Sequence, residues 1–274
     1  MHQTHHPLRS LNSTEFPDKN VQALFATKPD SRAILFIHGY GGDPVKTWSE
    51  FHDLLPEQEH FSGVDLLFYG YDSLQAEMIA SAALFHEFLD RLFSDGVKVI
   101  NSSLPSKTKR PSSFKYTKLL VVAHSLGAVI ARRGIADATS ARAKWTTKTS
   151  LALFAPAHMG AVAVELALEA ASGFKFMSLF SSGAQMSSPM TRQLKPDSAE
   201  LQALRSDVAT LTKNRANPHL IPKMVVLAEF EKIVKNLAFP GDPAPVTIAN
   251  TSHTSVCKPN RTFLKPLEIV KLCL

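Results

Sequence analysis

Short, continuous runs of apolar residues alternate along the chain with stretches in which apolar residues recur at a helical period. The runs lie at 33–38, 64–71, 119–123, 150–155, 223–228 and 246–249. Continuous apolar runs are typical of strands that are buried on both faces of a parallel sheet. The pattern therefore predicts an α/β fold with a doubly wound, mostly parallel sheet.

A long segment, 156–222, separates the fourth and fifth predicted strands and exceeds what one crossover helix requires. Its helical patterns lie at 161–171 and 198–211, and Asp197 and Glu200 have the spacing of a capping box. We predict that 156–222 forms a helical cap over the carboxyl edge of the sheet. A peripheral helical insertion is the alternative. Residues 1–274 are expected to form one domain.

The formal net charge of +6 is modest, and much of it lies in the Ser/Pro-rich stretch 107–118. We interpret this stretch as a solvated surface loop, because the sequence carries no nucleic-acid fold signature. Nucleic acid is therefore not an expected partner.

The sequence contains no membrane-spanning pattern, since no run approaches the ~18 apolar residues that a span requires. The first residues lack the basic and apolar regions of a secretory signal. Cys257 and Cys273 do not form a disulfide framework, and free thiols are expected. These features together predict a cytoplasmic protein.

The most informative local pattern is Ala-His-Ser-Leu-Gly at 123–127, where the third apolar run passes into a helical stretch without a loop. Ser125 at such a corner would have its hydroxyl at the carboxyl edge of the sheet, where a nucleophile is expected. The small residues Ala123 and Gly127 would let strand and helix approach closely. An ordinary buried serine is the alternative.

The glycine-rich stretch 38–42 follows the first apolar run directly. Glycines allow backbone N–H groups to turn inward without side-chain collision. We predict an oxyanion hole formed by the N–H groups of Tyr40 and of Leu126, the residue after the serine. A simple glycine turn is the alternative interpretation.

A general base and an acid are expected after the later strands. His253 follows the sixth run in a loop of small polar residues and is the predicted base, whereas His219 lies in an earlier loop. Glu231, just after the fifth run, is the first choice for the acid. Glu229 is the second choice and Asp242 is the third.

These motifs resemble those of the α/β-hydrolase superfamily, from about residue 30 to the end of the chain. The segments 35–48, 123–127, 155–160 and 252–259 look like those of lipase-like serine esterases of the PGAP1 and SERAC1 groups. In that family the segment that corresponds to 155–160 shapes the rim of the site, so the resemblance leaves His158 outside the triad. Ala123 stands where the family usually has glycine.

The resemblance implies a serine esterase or lipase-like hydrolase that acts on a small-molecule acyl ester or a lipid-like substrate. No metal or other cofactor is expected. A catalytically silent binding module and an amide or thioester hydrolase remain as alternatives, and the oligomeric state is open. One group of residues would form an apolar acyl pocket, although ordinary helix packing explains the same spacing: Phe174, Phe176, Met177 and Phe180.

Overall fold

The computed structural model describes residues 4–11, 20–162, 188–235 and 238–274. Within them the chain forms an eight-stranded sheet in the order β1-β2-β4-β3-β5-β6-β7-β8. The strands are β1 Arg9–Ser10, β2 Asn20–Leu24, β3 Arg32–Ile37, β4 Asp65–Gly70, β5 Lys118–His124, β6 Thr149–Phe154, β7 Met224–Phe230 and β8 Val246–Ser252. All pairings from β4 to β8 are parallel, which confirms the predicted doubly wound, mostly parallel sheet.

Two antiparallel strands, β1 and β2, extend the sheet beyond β4. The apolar pattern does not predict them, because β1 has only two residues and β2 is not a continuous apolar run. The central strands β3, β4 and β5 are buried almost throughout. Their apolar side chains on both faces give the continuous pattern that the sequence analysis detected.

Helices cover both faces of the sheet. They are α1 Phe51–Leu54, α2 Met78–Ser94, α3 Gly96–Ser103, α4 Leu126–Ser140, α5 Pro189–Gln193, α6 Ala199–Leu211 and α7 Lys265–Cys273. The longest two, α2 and α4, pack against each other, and α6 packs on α4. An ion pair of 2.5 Å between Arg133 in α4 and Asp207 in α6 joins the latter two.

The start of α6 differs from the predicted capping box. Asp197 has a φ of 61° and lies before the helix. Ser198 is the N-cap instead, and its hydroxyl accepts a hydrogen bond from the Leu201 amide. Residues 163–187 lie outside the described part of the chain, including Phe174 and its apolar neighbours. The helical cap over 156–222 therefore stays a prediction.

The basic stretch 107–118 also differs in part from its prediction as a solvated loop. Lys107 and Lys109 are exposed, but Arg110 is buried at the amino end of β4. Its Nη2 atom lies 2.9 Å from Asp65 Oδ1 and donates to the Ala26 carbonyl at 2.8 Å. The error arose because a buried ion pair at the amino end of β4 has no local sequence signature.

Both cysteines, Cys257 and Cys273, are buried free thiols, and burial raises the pKa of Cys257 to about 12. Among the described helices, none combines the length and the apolar character needed to cross a membrane.

Candidate active site

Ser125 occupies the turn between β5, which ends at His124, and α4, which begins at Leu126. Its backbone has φ 53° and ψ −120°, a conformation that non-glycine residues rarely adopt. Hydrogen bonds hold the turn, since the Ser125 amide donates to the Phe154 carbonyl at 3.0 Å. Strain of this kind persists only where surrounding contacts enforce it, and it often lies at functional sites.

Gly127 is required at this turn because the first turn of α4 lies against the end of β3. A Cβ atom at Gly127 would lie 2.4 Å from the carbonyl oxygens of Ile37 and His38. The small residues Ala123 and Gly127 predict close contact between the helix and its own preceding strand. The structure shows that the contact that excludes a side chain is with the neighbouring strand.

His253 follows β8 and lies beside Ser125. Its Nε2 atom is 2.9 Å from Ser125 Oγ, and its Nδ1 atom is 3.0 and 2.9 Å from the two carboxylate oxygens of Glu231. A carboxylate only accepts hydrogen bonds, so Nδ1 carries the proton and neutral Nε2 is free to accept the serine hydroxyl. The three side chains therefore form one continuous hydrogen-bonded chain.

Glu231 lies directly after β7, and its side chain is fully buried. Burial alone would raise the pKa of this carboxyl. Hydrogen bonds from His253 and from the amides of Ile233, at 2.9 Å, and Val234, at 3.1 Å, outweigh burial and lower the pKa. The site thus keeps Glu231 ionised where it can hold and balance a charged imidazole.

The alternative residues considered from sequence lie elsewhere. Glu229 is exposed and accepts a hydrogen bond of 2.7 Å from the Asn250 amide. Asp242 pairs with buried Arg132 at 2.7 Å. His219 contacts the Thr139 hydroxyl at 2.9 Å. In the described part of the chain, none of these three residues hydrogen-bonds to His253 or Ser125.

The glycine-rich turn after β3 lies against the serine. A Cβ atom on Gly39 would come within 3.0 Å of Ser125 Cβ, so the turn lies against the serine with no room for a side chain. The Gly41 amide is engaged by Ser73 Oγ at 2.9 Å. Within the described residues, the amides of Tyr40 and Leu126 have no acceptor, which leaves both available to a ligand.

His38 and Tyr71 orient the Tyr40 amide, a role that the sequence analysis did not assign to either. His38 Nδ1 donates to the Gly39 carbonyl at 2.8 Å, and its Nε2 accepts from the Tyr71 amide at 3.4 Å. Gly42 N donates to the same carbonyl at 3.1 Å. Because the peptide is planar and trans, fixing this carbonyl directs the Tyr40 N–H to the opposite side. Burial lowers the pKa of His38 to about 4, so this histidine stays neutral.

No group of three or more potential metal ligands is present among the histidine, cysteine, aspartate and glutamate residues that the structure describes. His158, which the family resemblance leaves outside the triad, bonds the Ala128 carbonyl at 3.1 Å through Nε2. It is buried beside α4 and makes no contact with the three linked side chains.

No family model and no curated protein sequence matches the chain. Solved structures do match it. The mature lipase BlEst2 of Bacillus licheniformis has a TM-score of 0.52 at 15% identity, over 88% of this chain and 93% of that one. The peroxisomal α/β-hydrolase Lpx1 of Saccharomyces cerevisiae has a TM-score of 0.53 at 11% identity, over 97% and 85%.

A third match widens the range of chemistry among these structures. It is the 2-hydroxy-6-oxo-6-phenylhexa-2,4-dienoate hydrolase of Rhodococcus sp. strain RHA1, with a TM-score of 0.52 at 14% identity, over 93% of this chain and 95% of that one. At such identities the likeness concerns the fold and not the substrate. Together with the sheet order and the strand–turn–helix at Ser125, it establishes that this chain has the α/β-hydrolase fold.

Proposed function

We propose that the chain is a serine hydrolase that cleaves carboxylic esters of small-molecule or lipid-like substrates. Ser125 is the nucleophile, His253 the general base and acid, and Glu231 the residue that orients His253. The observation that carries the proposal is the 2.9 Å contact between His253 Nε2 and Ser125 Oγ. A general base must lie within hydrogen-bond distance of the nucleophile whose proton it takes, and this pair meets that requirement.

The reaction begins when Ser125 Oγ attacks the ester carbonyl and its proton passes to His253 Nε2. The carbonyl oxygen becomes negatively charged and accepts hydrogen bonds from the Tyr40 and Leu126 amides. His253 then gives the proton to the departing alcohol, which leaves an acyl group on Ser125. Water attacks this acyl-enzyme with His253 as base, and the carboxylic acid and free serine are released.

A fluorophosphonate probe tests the nucleophile, because it phosphonylates an activated serine. We expect one adduct on the intact protein by mass spectrometry and none on Ser125→Ala. Ser113→Ala is the matched control, since Ser113 is exposed on the surface loop and should leave labelling unchanged. A wild-type protein without an adduct, or an adduct that survives in Ser125→Ala, would contradict the proposal and favour a silent binding module.

The class of scissile bond needs a separate comparison, because the same three residues serve all acyl transfers. We expect p-nitrophenyl esters to be hydrolysed with a higher kcat/KM than the p-nitroanilide or the thioester of the same acyl group. A preference for the anilide or thioester would keep the serine mechanism and change the substrate class. Varying the acyl chain length then reports on the predicted cap at 156–222.

A further inference from the structure

His124, the residue before Ser125, makes a side-chain hydrogen bond to the backbone of the loop that carries His253. Its Nε2 atom lies 2.9 Å from the His253 carbonyl oxygen, and the centroids of the two rings are 4.8 Å apart at an angle of 51°. The carbonyl can only accept, so Nε2 of His124 carries the hydrogen. The imidazole is buried, and its Nδ1 has no partner within the described residues.

The position of His253 relative to Ser125 is not set by strand pairing alone. Ser125 follows β5, His253 follows β8, and both β6 and β7 lie between them. β8 is the edge strand, and its register with β7 shifts between Ala228 and Phe230. The loop that bears His253 therefore begins at an irregular, singly paired strand, where small displacements are weakly resisted.

The hydrogen bond of His124 reaches the loop that carries His253 without involving β6 or β7. His124 is the last residue of β5, so its Nε2–H joins the strand that carries Ser125 directly to the backbone of His253. Burial lowers the pKa of His124 well below its ordinary value, and the neighbouring His253 adds to this effect. A neutral ring there places no second positive charge against the imidazolium that forms on His253.

From this geometry we propose that His124 is a positioning residue, which holds His253 within proton-transfer distance of Ser125 through the His253 carbonyl. The inference rests on the proposed function. The His124 hydrogen bond goes to the backbone of His253, and His124 transfers no proton. About 1 Å of misplacement can reduce catalysis by about 100-fold. One hydrogen bond to the loop that carries His253 can therefore control kcat while the substrate-binding surfaces stay unchanged.

The test compares His124→Leu with His124→Gln. Leucine fills a similar volume without a donor, whereas the glutamine side-chain amide can donate from near the position of Nε2. We expect His124→Leu to lower kcat by about 10- to 100-fold with KM within about twofold of the wild type. We expect His124→Gln to recover most of the loss. A kcat unchanged in His124→Leu, or a folded His124→Gln as slow as His124→Leu, would overturn the proposal.

A matched control separates positioning from the general loss of a buried histidine. His5 is also buried, and its Nε2 lies 2.8 Å from the Val64 carbonyl near the opposite edge of the sheet. His5→Leu removes a comparable bond and should leave kcat within about twofold of wild type in the folded fraction. An equal loss of kcat in His5→Leu and His124→Leu would show a merely structural effect and overturn the proposal.

A readout that does not depend on turnover distinguishes this inference from the proposed function. The His253 Nδ1 proton, bonded to Glu231, should give a low-field proton resonance. We expect it to broaden in His124→Leu and to persist in His124→Gln. An unchanged resonance in His124→Leu would overturn the positioning role even in an active enzyme. Absence of a fluorophosphonate adduct on the wild type contradicts the proposed function, while the resonance still decides the role of His124.

Discussion

Two buried carboxylates lie at opposite ends of the sheet, and they behave differently. Asp65, at the amino end of β4, accepts hydrogen bonds from the Ala26 amide at 2.8 Å, Arg110 at 2.9 Å and the Tyr116 hydroxyl at 2.7 Å. Its side chain is fully buried. Burial outweighs these bonds and raises the pKa of Asp65 to about 6.

Glu231, beyond the carboxyl end of β7, is equally buried and also has three donors. Here burial is outweighed by the hydrogen bonds, and the pKa is lowered. The two clusters also differ in what their partners can do. The Arg110 guanidinium cannot release or accept a proton, so the Asp65 cluster cannot take part in proton transfer through it. The neutral imidazole of His253 can take a proton from Ser125, so the charge of Glu231 acts on a reactive group.

Under the proposed function, one cluster is structural and the other catalytic. The Arg110–Asp65 ion pair joins a loop to the amino end of β4, whereas Glu231 at the carboxyl edge holds the titratable side chain of His253. In parallel α/β sheets, ligands bind outside the carboxyl ends of the strands. Mutations in the Asp65 cluster should therefore mainly lower stability, whereas mutations in the Glu231 cluster should mainly lower turnover.

The largest effect is expected from Glu231→Gln. The amide no longer stabilises the protonated imidazole, and its NH₂ group can favour the wrong tautomer of His253. We expect kcat/KM to fall by about 10³- to 10⁴-fold. The thermal midpoint should fall by less than in Arg110→Met, because the glutamine oxygen can still accept from the Ile233 and Val234 amides. Ester hydrolysis and thermal unfolding of the same preparation measure both quantities.

Glu229→Gln is the matched control for this prediction. Glu229 lies two residues earlier and is exposed, and its hydrogen bond to the Asn250 amide can be kept by the glutamine oxygen. We expect its kcat/KM to stay within about twofold of wild type. Loss of activity in Glu229→Gln together with an active Glu231→Gln would reverse the assignment of the acid.

The contrast also explains what the sequence could predict. Ser125 and Glu231 each follow an apolar strand, and His253 follows the short sixth run. Parallel topology brings the ends of those strands to one edge. Their meeting was therefore predictable from local patterns and strand order. Arg110 and Asp65 come together from a loop and a strand start with no shared pattern, and only the folded chain reveals that pair.

Two other departures from the sequence predictions have separate physical reasons. Ser198 and Asp197 are both good N-cap residues, and backbone conformation alone decided between them. His124 was visible in the pentapeptide, but its partner is the backbone carbonyl of a residue 129 positions away. Such a hydrogen bond depends on the conformation of the loop that carries His253. The residue types around His124 do not specify that conformation.

The second effect, at the opposite end of the sheet, is expected from Arg110→Met. It leaves the Asp65 carboxylate buried without its cation, and breaking such a pair costs about 3–5 kcal/mol of unfolding free energy. Urea denaturation at pH 7 measures this loss, while kcat/KM of the folded protein should stay within about twofold. Lys109→Met, at the exposed neighbour, should change stability by less than about 0.5 kcal/mol. Equal destabilisation by both variants would contradict the role of the ion pair.

The smallest expected effect is the opposite pH dependence of the two carboxylates. Between the ordinary pKa of Asp65, 3.8, and its folded value of about 6, the native state retains a proton that the unfolded chain has released. Stability from this group therefore falls as the pH rises, by about 1.4 kcal/mol for each unit of pKa difference.

Glu231 works in the reverse sense, because its lowered pKa adds stability above the ordinary value of 4.5 that is lost as the pH falls through the folded pKa. Urea denaturation between pH 3 and 7 should therefore show two separable slopes. Asp65→Asn should remove the fall in stability between pH 4 and 6, and Glu231→Gln should remove part of the rise at lower pH. If Asp65→Asn and wild type run parallel between pH 4 and 6, Asp65 is ionised throughout that range. Its cluster would then resemble the Glu231 cluster in electrostatics, and the two would differ only in the proton that His253 can carry.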